Sequence, residues 1–258
     1  MGSDVFYGPD QALIHHENFG RLAKIAAEDL LSLLTQAGLT SGTVVDLGCG
    51  SGILARIVSD AGYDVVGVDI SPAMIELARK NAPRASFHIG SLLDLELPGA
   101  VAVTGIGEAL NYATDPRAGL AELEQLAARV HDTLEPGGVF MFDIATPGRE
   151  GGARQQWHDR DGWSLYMKAE ETGPQSDRYI TIFRRNEDGR YVRTDEHHVL
   201  RLYVPDEVVG LLRQAGLEAE VRDDYPGVPA DLPPIPGWKV ILARRPIAPI
   251  QSVSSQGS

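Results

Sequence analysis

The sequence predicts an α/β protein in three layers, a mostly parallel sheet between helices, with an antiparallel β flap inserted after the fifth strand. Three observations predict it. Short β-branched runs alternate with helix-spaced segments through residues 22–144. A glycine-rich turn, Asp46-Leu47-Gly48-Cys49-Gly50-Ser51-Gly52, joins the first run to the next helix. After Thr146 the alternation stops, and three strand-like stretches follow with no helix between them.

Residues 22, 25, 26, 30, 33, 34 and 37 are apolar, a helical stripe that Gly38 terminates. Residues 43–47 (TVVDL) read as a first strand, 53–61 as a helix closed by Gly62, and 65–69 (VVGVD) as a second strand. Ser71-Pro72 then supplies an N-cap and a first helical residue for a helix to about residue 80. Residues 85–89 and 100–104 are two further strands, 120–134 a helix, and 139–144 (VFMFDI) the fifth strand. In the flap, 157–171, 179–185 and 191–203 are strand-like, and Asp188-Gly189 is a hairpin signal. Residues 205–216 return to helix, and 217–225 and 238–243 read as closing strands around the Pro-rich stretch 227–237. This divides the chain into an N-terminal segment and first helix (1–40), a core (41–146), a flap (147–204), a completion of the core sheet (205–245) and a tail expected to be disordered (246–258).

The chain has 258 residues, 43% of them hydrophobic and 23% charged, enough for a sizeable core. No apolar stretch approaches the roughly 20 residues that span a bilayer, and the N-terminus MGSDVFYGPD lacks the basic-then-apolar pattern of a signal peptide. The single cysteine, Cys49, excludes an internal disulfide and a four-cysteine zinc site. A balance of 36 acidic against 23 basic residues, net −13, repels phosphate backbones and anionic membranes. A cytoplasmic protein acting on a small molecule is expected, with no nucleic-acid or membrane partner.

Glycines in the 48–52 turn allow a tight bend and a close approach of backbone to ligand. The next helix offers its free N–H groups there. Gly50, Gly52 and Ala55 satisfy G-x-G-x-x-A, so a nicotinamide-dependent oxidoreductase is one reading. Asp69 ends the second strand 17 residues after Gly52, where a carboxylate accepts ribose hydroxyls. Asp46, two residues before the first glycine, would serve a pyrophosphate poorly; it suits ordering the loop or meeting a ligand ammonium. The segments LEPGG before the fifth strand and FHIGSLLDLELP after the third add to this pattern.

With these motifs the chain resembles the class I S-adenosylmethionine-dependent methyltransferases, from VVDLGCGSG through VVGVDIS, FHIGSLLDLELP and VTGIGEALNY to LEPGGVFMFD. The resemblance implies a Rossmann-like core with a seven-stranded sheet whose last strand is antiparallel, and S-adenosylmethionine as cofactor with S-adenosylhomocysteine as product. It implies that Gly48, Cys49 and Gly50 pass the methionine part and that Asp69 binds the ribose. Ile70 and Met74 would pack on the adenine, and Gly107 and Glu108 would face the sulfur end. Ser91 and Leu92 stand at the adenine edge, where many relatives carry Asp. The N-terminal segment would form a lid carrying Tyr7 and His15.

Methyl transfer is an in-line displacement at carbon in which alignment supplies most of the acceleration; a general base is needed only where the nucleophile must lose a proton. Candidates for that chemistry are Asn111 and Tyr112, after the fourth strand, which share a face with Glu108 if that loop is helical. Asn-Pro-Pro-Tyr, a signature of nucleic-acid amino methylation, is missing there. Glu196 and His198 share one face of the third flap strand with Leu200 and Leu202, and an inward Glu–His pair suits a general base. His197, Arg201 and Tyr203 are expected on the opposite face. His15 and His16 lack further ligands for a metal. The expected activity is methyl transfer to a small N, O or C acceptor, and the sequence does not choose among them. The alternatives are the nicotinamide-dependent oxidoreductase and a non-catalytic S-adenosylmethionine-binding protein. Flap edge strands offer a route to a homodimer.

Overall fold

Valine and isoleucine runs build the centre of the molecule, because β-branched side chains fill a sheet buried on both faces. In the computed structural model, which describes residues 6–229 and 234–247, these runs form β1 (Thr43–Leu47), β2 (Asp64–Asp69), β3 (Ser86–Ile89), β4 (Ala100–Gly105) and β5 (Leu134–Ala145). Two later strands, β10 (Glu218–Arg222) and β11 (Trp238–Arg244), complete a seven-stranded sheet of order β10-β11-β5-β4-β1-β2-β3. Strand β11 runs antiparallel to both its neighbours, as the sequence resemblance implies.

Helices cover both faces. On one, α2 (Arg21–Gln36), α3 (Ile53–Asp60) and α4 (Pro72–Asn81) pack Leu30, Leu34, Val58 and Ile75 against the sheet. On the other, α5 (Leu120–Thr133) and α6 (Pro205–Gln214) bring Leu126, Val130, Val208 and Leu212 onto Phe140, Phe142 and Ile144. The Ser71 hydroxyl caps α4 by accepting from Met74 N at 3.1 Å. The strand order reverses between β1 and β4, so a crevice opens at the carboxyl ends of these strands.

The flap departs from expectation in its strand count. It has four strands, β6 (Ala153–Arg160), β7 (Trp163–Thr172), β8 (Gln175–Arg185) and β9 (Tyr191–Arg201), in that order. The expected strand 157–171 is broken at Asp161-Gly162, where Gly162 takes a left-handed φ of 84° and Arg160 pairs with Trp163. This two-residue Asp-Gly turn carries the same signal as Asp188-Gly189. An unexpected helix, α1 (Pro9–Asn18), precedes α2. Its Ile14 packs on the flap against Leu165, Ile180 and Ile182. The loop after β4 is irregular and not helical, so Glu108, Asn111 and Tyr112 do not share a helix face. Most of the expected tail, 248–258, and residues 230–233 of the Pro-rich stretch lie outside the described residues. No helix among the described residues is long and apolar enough to cross a membrane.

Candidate active site

The glycine turn leaves β1 with three residues in the left-handed region, Gly48 (φ 69°), Gly50 (52°) and Gly52 (72°). Gly48 N and Cys49 N both donate to Val68 O, at 2.8 and 2.9 Å, which ties the turn to β2. A Cβ on Gly52 would come within 3.1 Å of Ala78, so that glycine serves helix packing. A Cβ on Gly50 would meet nothing within 4 Å, because this stretch of backbone faces the open cavity. At the end of β2, Asp69 accepts from Gly50 N and Ser71 N, both at 2.9 Å. One carboxylate thereby orders the turn and the start of α4. Burial raises the Asp69 pKa against these two N–H groups. Asp46 is 2% exposed and accepts from Thr104 Oγ1 at 2.8 Å; burial pushes it up to about 7.

These groups line a cavity of about 200 Å³. Of the residues named from sequence, Asp46, Gly48, Cys49, Gly50, Asp69, Ile70 and Met74 line it on the β1–β2 side. Ser91, Leu92, Gly107 and Tyr112 line it from the loops after β3 and β4, and Tyr7 and His15 from the N-terminal segment. The Tyr7 and Tyr112 hydroxyls are 3.2 Å apart. Burial raises both phenols above their ordinary pKa, and it also raises the Cys49 thiol, so all three stay protonated at neutral pH. Burial pulls His15 down to about 4, helped by His16 and His198. Its neutral ring leaves Nδ1 buried without a hydrogen-bond partner.

Four expected site residues do not line the cavity. The Glu108 carboxylate turns away from it and pairs with Arg178 Nη1 at 2.6 Å and with Arg149 Nε. Burial alone would raise Glu108, and the two guanidiniums outweigh it and hold the carboxyl at about 2. The Asn111 amide is spent on backbone: Nδ2 donates to Ala145 O and Arg201 O, and Oδ1 accepts from Ala145 N. It fastens β5 to β9, so it has no group left for an acceptor. Glu196 and His198 face inward as expected, 4% and 2% exposed, and bond to each other at 2.8 Å, but behind the N-terminal segment. Tyr203, expected on the outer face, is buried and lines the cavity, because it lies beyond the end of β9 and the strand alternation no longer governs it.

Three contributors escaped sequence reading. Asp115 accepts from Ser91 Oγ at 2.6 Å and lines the cavity beside it, at the edge where Ser91 replaces the usual acid. Arg117 pairs with both Asp115 and the surface Asp94, at 2.6 and 2.8 Å. Asp143, buried on β5, accepts from Gly107 N, Glu108 N, Tyr225 OH and Trp238 Nε1. Burial lifts Asp143 to about 6 against the Gly107 and Glu108 N–H groups. It holds Glu108 in a left-handed conformation (φ 61°) and so shapes the loop that carries Gly107. Arg178 carries no local sequence signal, since strand alternation gives its inward direction but not its partners.

A doubly wound sheet with a glycine turn, a strand-end carboxylate and a cavity at the switch point defines a protein that binds a nucleoside-bearing cofactor. Residues 44–138 match the family described as methyltransferase domain. A putative methyltransferase of Geobacillus sp. (strain WCH70) is 27% identical over 195 residues, 70% of this chain and 76% of that one. The chain spans about half the length of further curated relatives, among them the magnesium-protoporphyrin O-methyltransferase of Rhodobacter capsulatus, at 35% identity over 40% of this chain. The structure of an S-adenosylmethionine-dependent methyltransferase from Clostridium acetobutylicum superimposes with a TM-score of 0.77 at 19% identity, covering 92% of this chain and 98% of that one. For CalS10, an amino pentose methyltransferase from Micromonospora echinaspora, the TM-score is 0.71 at 19% identity, covering 95% and 100%. Residues 44–138 thus match a methyltransferase domain, and the chain as a whole shares the fold of the S-adenosylmethionine-dependent methyltransferases.

Proposed function

We propose that the chain methylates the nitrogen of a small basic metabolite at this cavity. One observation carries the choice of nitrogen. The carboxylates lining the cavity are Asp46, Asp69, Asp115 and Glu122, of which Asp115 is paired with Arg117, and no lysine or arginine lines it among the described residues. Such a field favours a cationic cofactor and a neutral or cationic acceptor over a carboxylate or a phosphate. The aromatic wall of Phe6, Tyr7, Phe19 and Tyr112 suits an ammonium or sulfonium, which is drawn to ring faces. The likeness to an amino pentose methyltransferase supports the same reading.

The cavity fits the cofactor by its open backbone at Gly50, by Asp69 at the end of β2, and by the apolar Ile70 and Met74 beside it. When bound, S-adenosylmethionine supplies a methyl group on a sulfonium, which a nucleophile takes in line while the C–S electron pair leaves on sulfur. The chain's own part is placement. Gly48–Gly50 would hold the methionine part, Asp69 the ribose hydroxyls, and Ser91 with Asp115 the adenine edge. Tyr7, Tyr112 and the free Nδ1 of His15 would accept N–H bonds from the acceptor amine and aim its lone pair. Glu196, His198 and Asn111 have supporting roles. The acidic net charge supports a cytoplasmic enzyme without nucleic-acid partners, and edge strand β6 supports a homodimer paired through the flap.

A thermal-shift titration with S-adenosylmethionine, S-adenosylhomocysteine, NAD and NADP tests the cofactor. At 100 times its dissociation constant a ligand of the folded state contributes about 2.7 kcal/mol, a shift of roughly 5–10 °C for a chain of this size. Only the first two should shift the transition. Small amines are then offered beside matched carboxylates and alcohols, with methylated product read by mass. Product from the carboxylates or alcohols alone would overturn the nitrogen acceptor.

A further inference from the structure

A carboxylate in a dry interior must find donors, or it costs more than its neighbours return. Glu196 on β9 is such a group, and its donors come mainly from the far end of the chain. Oε2 accepts from Tyr7 N and Oε1 from Gly8 N, both at 2.8 Å. His198 Nε2 lies 2.8 Å from Oε2. With its amide turned to satisfy both sides, Gln11 adds a nitrogen at 2.8 and 3.2 Å. Tyr7 and Gly8 stand directly before Pro9, the first residue of α1, where backbone N–H groups have no helical acceptor. A carboxylate there also meets the positive end of the helix dipole.

We propose that Glu196 is a positioning residue that clamps the N-terminal segment over the cavity, fixes Tyr7 there and thereby slows cofactor release. Tyr7 is held at three points. Its N–H is on Glu196, its carbonyl accepts from Ser71 Oγ at 2.7 Å, and its hydroxyl meets that of Tyr112. Ser71 N is itself bonded to Asp69, so the clamp and the ribose carboxylate share one link. Tyr7 has φ of 45°, and it and Glu108 are the two non-glycine residues with positive φ among those described. A conformation that L side chains rarely adopt persists only where its surroundings enforce it. The apolar contact of Ile14 with Leu165, Ile180 and Ile182 already docks α1 on the flap. The Glu196 bonds reach past it, to Tyr7, which lines the cavity, and to Gly8 next to it.

The proposal rests on the cavity being the cofactor site, and its test separates the two. Hydrogen exchange is followed on the full chain for wild type, Glu196→Gln and Gln11→Glu. Replacing Glu196 by Gln turns one acceptor into a donor facing an N–H. Replacing Gln11 sets a second carboxylate beside the first and leaves the flap strand unaltered, should the first variant fold poorly. Amides of Tyr7 and Gly8 should exchange about tenfold faster, the ratio for one lost hydrogen bond, while those of β5 stay as they were. S-Adenosylhomocysteine should dissociate faster by a similar factor. Unchanged exchange at Tyr7 and Gly8 in both variants would overturn the clamp. So would faster exchange throughout β5, the mark of a merely structural residue. An unchanged S-adenosylhomocysteine off-rate alongside faster local exchange would overturn the hold on the cofactor. Wild type that binds no S-adenosylhomocysteine refutes the proposed function, and the exchange arm then decides the clamp alone.

Discussion

Asp69 meets two backbone N–H groups and has lone pairs left for a ribose, so its removal has two costs. Asp69→Ala should weaken S-adenosylhomocysteine binding by about 1.5–3 kcal/mol, the worth of charge-assisted hydrogen bonds, read as a rise in Kd of about 10- to 150-fold. Gly50→Val should abolish binding with a modest loss of stability. Its side chain would project into the cavity, from a backbone conformation that valine rarely adopts. Asp46 gives a pH signature. The folded chain holds its proton up to about 7, whereas an unfolded carboxylate releases it near pH 4. Between those values the folded state binds more protons, so this group's contribution to stability falls as pH rises and is level above 7. A cationic cofactor prefers the ionised form. Its affinity should therefore climb as pH rises through about 7, with proton release visible as buffer-dependent heats of binding. Asp46→Asn should abolish that dependence, and a flat profile in the wild type would remove Asp46 from the cofactor's cationic end.

At the scale of elements, the flap is joined to the core by charge as well as by apolar packing. Arg178 on β8 reaches Glu108 after β4 and Glu150 after β5, at 2.6 and 2.9 Å, with both carboxylates buried. Arg178→Met should cost up to about 3–5 kcal/mol, since it takes one of two guanidiniums from each buried carboxylate, leaving Glu108 with Arg149 and Glu150 with Arg154. Adding Glu108→Gln should recover part of that loss in urea unfolding. An equal loss in single and double variants would show that the pair is not coupled. Alternation along β8 and β9 places Arg178, Ile180, Ile182, Glu196 and His198 on one inward face. The sequence disclosed that face, but not what lies against it.

For the whole molecule, the sheet separates two apolar clusters, and a third sits between α1 and the flap. The cavity draws on segments from residue 6 to residue 203. Cofactor binding should therefore stabilise the flap and α1 together with the core. Ile182→Ala, at a fully buried position, should cost about 2–5 kcal/mol and should lower the single melting transition of the cofactor-bound chain. A separate early transition for the flap would argue against one cooperative unit.

The core was legible because it rests on local rules. Strand and helix periods, Ser71-Pro72 as a helix start and glycines at left-handed positions are written within a few residues of where they act. The Asp161-Gly162 turn is equally local, and the polar run 158–161 (HDRD) before it marks the break between the two strands. The glycine loop was legible for the same reason, since Gly48 and Gly50 turn through left-handed backbone and Asp69 sits at the end of the next strand. The acceptor side was not. Glu196 and His198 carry the composition of an acid–base pair, and only the packing of residues 6–18 against the flap turns them into support for Tyr7. Asp115 beside Ser91 and Asp143 beneath Gly107 likewise act across 24 and 36 residues. The sequence by itself determined the strands of the core and the glycine turn, because neighbouring residues enforce them. Tertiary structure alone decided which buried carboxylates face the ligand and which face an arginine or a backbone N–H. That choice depends on partners distant in the chain, and no local period encodes them.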